Sequence, residues 1–92
     1  AAPSSPKGAR AQGGKRKVTI SWEANPEADI TRYQIYKKTP FGFKKSGSTQ
    51  GLSYTDGKLR DGKTYTYKIT AVDKDGLESP FSQEVSATTA PK

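Results

Sequence analysis

Apolar and polar residues alternate along most of this chain, and the period is two. In Val18-Thr19-Ile20-Ser21-Trp22 the alternation puts Val18, Ile20 and Trp22 on one face of a half-buried strand. Asn25-Pro26-Glu27-Ala28-Asp29 is turn chemistry, because a residue before proline is pushed away from helix and proline lacks a donor. Residues 30–39 predict the next strand, with Tyr33 and Ile35 on one face and Tyr36 on the other; Pro40 and Gly42 end it. Short strands are expected at 43–48 and 52–56, followed by a loop from Gly57 to Gly62. The clearest run is 64–73, where Tyr65, Tyr67, Ile69 and Ala71 share one face and Thr66, Lys68 and Thr70 the other. Asp73-Lys74-Asp75-Gly76 then turns the chain, and 83–89 closes it with Val85 and Ala87 inward. No segment follows the 3.6-residue period of a helix better than this one.

The first seventeen residues differ in kind. They are Ala, Pro, Ser, Gly, Lys and Arg with one Gln, and none is a large apolar residue able to anchor the segment in a core. Residues 1–5 are expected to be a linker or flexible N-terminus, 6–89 the folded domain and 90–92 a tail. Ala9 and Ala11 can still form a weak first strand along a sheet edge, with Pro6 where an edge tolerates it. A strand held that weakly would also leave an edge open to strand addition by a partner.

Seven short strands separated by turns define an all-β, seven-stranded antiparallel two-sheet sandwich. The chain has 92 residues, enough for one core and too few for a deep catalytic cleft. Only 30% of the residues are hydrophobic and the mean hydropathy is -0.89; scattered, they would signal disorder, but the alternation gathers them into strands. Cys, His and Met are all absent, so there is no disulfide, thiolate nucleophile or imidazole base. No apolar stretch approaches the roughly 20 residues of a membrane helix. Asn25, the single Asn, precedes Pro26, so the chain has no N-glycosylation acceptor. These features point away from an enzyme and from any cofactor.

Trp22 in the second strand, Tyr33 in the third, and Tyr65 six residues after Leu59 stand in a recurring order. With Ala71-Val72-Asp73 and the ending Val85-Ser86-Ala87-Thr88-Thr89, they make the chain resemble a fibronectin type III domain from Pro6 to Thr89. Residues 54–79 are similar in style to copies in microbial extracellular and surface proteins. The resemblance implies an immunoglobulin-like sandwich in which Trp22, Tyr33, Leu59 and Tyr65 are structural core, the Tyr65 hydroxyl bonding back to backbone near Leu59 or Arg60. It implies a non-catalytic structural or interaction module: a spacer or protein-binding domain, its partner a protein or neighbouring domain. It further implies a secreted, cell-surface or periplasmic location, lipid-anchored or within a larger chain. The chain departs from the family pattern in having Ala9 and Ala11 where larger aliphatics are usual, and Lys37 where an aromatic is common.

The family's adhesive loop corresponds to Asp73 to Pro80, which lacks Arg-Gly-Asp. An EF-hand reading of the same segment puts Ala71 and Ser82 at ligand positions and so fails; a looser cation site from Asp73, Asp75 and Glu78 is the alternative to a polar turn.

The net charge is +7, and the resemblance implies that it is unevenly placed. Lys15, Arg16, Lys17, Lys37, Lys38, Lys44, Lys45, Lys58, Arg60 and Lys63 gather at one pole of the sandwich, opposed by Asp56 and Asp61. The other pole carries Glu27, Asp29, Asp73, Asp75 and Glu78 against Arg32 and Lys74. A basic pole attracts acidic polysaccharide or another polyanion, anionic headgroups or an acidic protein face, with Tyr36, Phe41 and Phe43 placed to stack on sugars or bases. No motif for specific nucleic-acid readout is present. The simpler alternative is that the lysines keep the domain soluble and guard its edges, with Phe41 and Phe43 covering the bottom of the core.

Overall fold

A computed structural model describes residues 2–91. Seven strands form, in the order β1 (Arg10–Gly14), β2 (Lys17–Ser21), β3 (Ile30–Thr39), β4 (Gly42–Thr49), β5 (Ser53–Asp56), β6 (Thr64–Asp73) and β7 (Val85–Thr88). They make two antiparallel sheets, β1-β2-β5 and β4-β3-β6-β7.

The alternation read from sequence is the alternation of burial. Val18, Ile20, Tyr33, Ile35, Tyr67, Ile69 and Ala71 interleave between the sheets, joined by Trp22 and Leu59, and Tyr65, Val85 and Ala87 pack partly buried at the margin. Trp22 lies just past the end of β2, where its amide donates to the Leu52 carbonyl at 3.1 Å. Its ring meets that of Tyr33 at 5.4 Å, tilted by 57°. The Tyr65 hydroxyl accepts the Arg60 amide hydrogen at 3.0 Å, which pins the β5–β6 loop against the start of β6.

The segment leading into β7 is irregular because Pro80 cannot join a ladder. Two serines replace it. Ser79 donates its amide to the Ala71 carbonyl and accepts the Ala71 amide on Oγ, both at 2.8 Å; Ser82 does the same with Ile69, at 2.8 and 2.9 Å. The backbone of β6 is thus satisfied beyond the end of β7.

The weak first strand does form, paired with β2 from Arg10↔Ser21 to Gly14↔Lys17. It also lies against β7, where a Cβ on Gly13 would collide with the Thr88 carbonyl oxygen. Upstream of β1, Pro3 and Pro6 are buried, and the Glu23 amide donates to the Lys7 carbonyl at 2.9 Å. Ser4 donates its amide and hydroxyl to Glu27 Oε2 at 3.1 and 2.7 Å, and Asn25 Nδ2 donates to the Ser4 carbonyl and to Glu27 Oε1 at 2.6 and 3.0 Å. The bonds from the Ser4 hydroxyl and amide, with a further one from Asn25, outweigh desolvation and hold the Glu27 carboxyl down at about 2.

A depressed folded pKa means that this latch is at full strength above the ordinary value of 4.5 and weakens as the pH falls towards 2. The Glu27 side-chain carbonyl resonance and the Ser4 amide resonance should therefore titrate together, with a midpoint near 2. A midpoint for Glu27 at the ordinary value would mean that the latch does not hold in solution.

Candidate functional site

The β1–β2, β3–β4 and β5–β6 connections meet at one pole of the sandwich, as the antiparallel registers require. The ten cations expected there fall into distinct environments. Lys15, Arg16, Lys17 and Lys58 line a single hollow between the β1–β2 turn and the β5–β6 loop, completed by Gly57 and Leu59. The Leu59 amide donates to the Arg16 carbonyl at 3.0 Å and ties the two connections together. Asp61 approaches Arg16 Nε at 3.9 Å.

Arg16 and Lys58 have φ of 59° and 58°, the only non-glycine residues among those described with left-handed backbone. Such a conformation brings Cβ against the following carbonyl and disfavours side-chain-bearing residues by roughly 1–2 kcal/mol.

Lys37 and Lys63 are engaged elsewhere. Lys37 shares the parity of Tyr33 and Ile35, and its Nζ donates to Asp56 Oδ2 at 3.1 Å. The same oxygen accepts the Tyr67 hydroxyl at 2.7 Å. Both ammonium groups stand over the Tyr65 ring, at 5.5 Å for Lys37 and 5.6 Å for Lys63. Lys44 lies 5.8 Å from the Phe41 ring, which projects from the β3–β4 turn at 87% exposure and so covers no core. Lys38 and Arg60 are exposed.

Lys45 belongs to another surface, the outer face of the four-stranded sheet. Here Phe81 meets Tyr36 edge-on at 5.0 Å and Phe43 at 6.4 Å, while Lys68 Nζ lies 4.4 Å from the Phe43 ring and 4.9 Å from Phe81. Phe43 is therefore outside the core too. Burial pushes the Glu78 carboxyl up, but hydrogen bonds from Thr70 and Tyr36, with Lys45 and Arg32 nearby, outweigh it and hold it below the usual carboxylate range. Lys68 and Phe81 were not singled out by sequence. The outward parity of Lys68 was readable in β6, whereas Phe81 follows Pro80 in a stretch with no period.

The acidic group at the opposite pole separates in the same way. Asp73 is buried and its Oδ1 accepts the amides of Asp75 and Leu77, both at 2.9 Å, so it builds the turn. With Glu78 engaged on the sheet face, the three acids do not converge, and no cluster of three potential metal ligands occurs among the described residues.

The molecule is thus an immunoglobulin-like β-sandwich whose chemistry lies on its surface. The chain belongs to the fibronectin type III family: the model of the fibronectin type III domain matches residues 2–88. It is 38% identical over 84 residues to an amylopullulanase of Thermoanaerobacter thermohydrosulfuricus, covering 88% of this chain and 6% of that protein. It is 42% identical over 72 residues to a poly(3-hydroxybutyrate) depolymerase of Ralstonia pickettii, covering 78% of this chain and 14% of that one. Among solved structures, a β-1,2-glucanase from Parabacteroides distasonis matches the whole chain with a TM-score of 0.86 and 35% identity, over 13% of its own length. The chain therefore spans only a small part of each of these three proteins.

Proposed function

We propose that this domain is a non-catalytic module of a multidomain enzyme that degrades a polymer outside the cell, holding the parts on either side of it at a fixed separation. The observation that carries this reading is the placement of the chain ends. Ser4 is bound to Asn25 and Glu27 at one pole, while Ala90 is bound to Gly14 and Gly62 at the other, on a body 45 Å long and 25 by 18 Å across. A module with ends so placed separates its neighbours by its full length. Support comes from the relatives, in which a domain of this kind occupies a small share of proteins named for polymer hydrolysis. The neighbouring domain is then the immediate partner.

Because the chain has no cysteine, Ala2→Cys and Pro91→Cys place two spin labels without interference. Pulsed dipolar spectroscopy should give one narrow distance distribution commensurate with the 45 Å axis. A broad distribution, or one centred at a much shorter distance, would rule the spacer out.

A further inference from the structure

We infer that the hollow between the β1–β2 turn and the β5–β6 loop is a binding site for an acidic polysaccharide, with Arg16 and Lys58 as its principal cationic contacts. The hollow is open to solvent, with a volume of about 540 Å³, and four of its six lining residues are cations. The carboxylates close in sequence offset only part of this charge: Asp56 faces the sheet interior and is taken by Lys37 and Tyr67, and Asp61 pairs loosely with Arg16 at 3.9 Å, leaving Lys15, Lys17 and Lys58.

Backbone conformation supplies a second, independent observation. Glycine adopts φ near +60° without penalty, and a turn residue there needs no side chain to complete the fold. At both left-handed, non-glycine positions this chain instead carries a long cation, and both cations line the same hollow. Solubility does not require this, since charge elsewhere on the surface serves equally well. Strain retained at a surface concavity is accounted for when the strained side chains do something there. The bond from the Leu59 amide to the Arg16 carbonyl fixes the two strained residues relative to each other, so the cations are arranged before any ligand arrives.

The lining also selects the kind of anion. No aromatic residue lines the hollow, so nucleic-acid bases have nothing to stack on within it. Gly57 carries no side chain and leaves room beside the cations for a uronate ring, whose carboxylate meets Arg16 and Lys58. This site is independent of the spacer reading, because binding at one pole neither requires nor forbids a fixed separation of the ends.

The test compares the native chain with the double variant Arg16→Gly/Lys58→Gly, using polygalacturonate as the probe in calorimetric titrations from about 20 to 200 mM salt. The native chain should bind, and bind more weakly as salt rises. The double variant should bind at least about tenfold more weakly while melting at the same or a higher temperature, because the strain has been relieved. Lys44→Ser, at the β3–β4 hairpin, should change affinity by less than about twofold. Absence of native binding at the lowest salt would overturn the proposal, as would a double variant that binds normally or melts at a lower temperature. A loss in Lys44→Ser equal to that of the double variant would replace the hollow by a diffuse basic pole. Binding of a thymidylate oligomer as tightly as polygalacturonate would overturn the assignment to polysaccharide.

Discussion

Trp22→Ala is expected to lower the free energy of unfolding by about 3–5 kcal/mol. Trp22 is 5% exposed and fills the space between the sheets against Tyr33, so truncation removes the largest ring of the core and leaves a cavity that two hydrogen-bonded sheets cannot close by collapsing. Small domains are stable by only about 5–15 kcal/mol, so the loss is a large share of the whole. The Tyr33 hydroxyl would lose its support as well; it accepts the Asn25 amide at 3.0 Å and so fixes the β2–β3 loop. Trp22→Phe should be much milder, because the indole Nε1 is buried without an acceptor in the protein and Phe dispenses with that donor. Urea unfolding followed by circular dichroism measures both variants, since the chain has no second Trp for fluorescence. A loss below about 1 kcal/mol in the Ala variant would contradict the packing described here.

The second large effect lies at Asp56. Its Oδ2 accepts from the Tyr67 hydroxyl and the Lys37 ammonium, with side-chain exposures of 13% for Asp56 and 29% for Lys37. Asp56→Ala leaves a buried phenol without its acceptor and a partly buried ammonium without its counter-charge, a loss of about 3 kcal/mol. Replacing Lys37 by Met should be milder, because Asp56 keeps the Tyr67 hydroxyl and an apolar chain can fill the same path. Equal losses in the two variants would mean that the ion pair, and not the phenol, dominates.

The same group of residues sets an alkaline limit. Burial, and then the bond to Asp56, push the Tyr67 phenol well above its ordinary value of 10. A raised folded pKa stabilises the fold fully below that ordinary value, and the contribution is lost as the pH rises beyond it. The domain should accordingly unfold more readily above pH 10, where the unfolded chain releases the Tyr67 proton and the folded chain keeps it.

The sandwich was legible in the sequence because burial on one face of a strand forces a period of two, and Tyr65 through Ala71 hold it without interruption. The family positions of Trp22, Tyr33, Leu59 and Tyr65 then placed the strands in two sheets. Lys37 is instructive in the opposite sense. Counting charge by location put it among the free cations of the basic pole, although its parity with Tyr33 and Ile35 already pointed it inward, where it meets Asp56. Position along the chain says where a charge is, and parity says which way it faces.

Other features left no mark of their own. The latch of Ser4 on Glu27 and Asn25 joins residues more than twenty positions apart through small polar side chains, which no periodicity records. Ser79 and Ser82 take up the amides of β6 across a proline, where a strand pattern is interrupted. The left-handed backbone at Arg16 and Lys58 was hidden because such positions are normally read from glycine or asparagine.

The close approach of β1 to β7 at Gly13 bears on what happens under load. The two strands run in the same direction, one attached to the segment that enters at one pole and the other to the segment that leaves at the opposite pole. A pull on the two ends therefore acts lengthwise along β1 and β7. It strains the pairing of β1 with β2 and of β7 with β6 in shear, all bonds of a ladder together, and does not peel them open one at a time. Strung between neighbours as proposed, such a domain would act as a stiff link, and Gly13 is what lets β1 and β7 lie side by side.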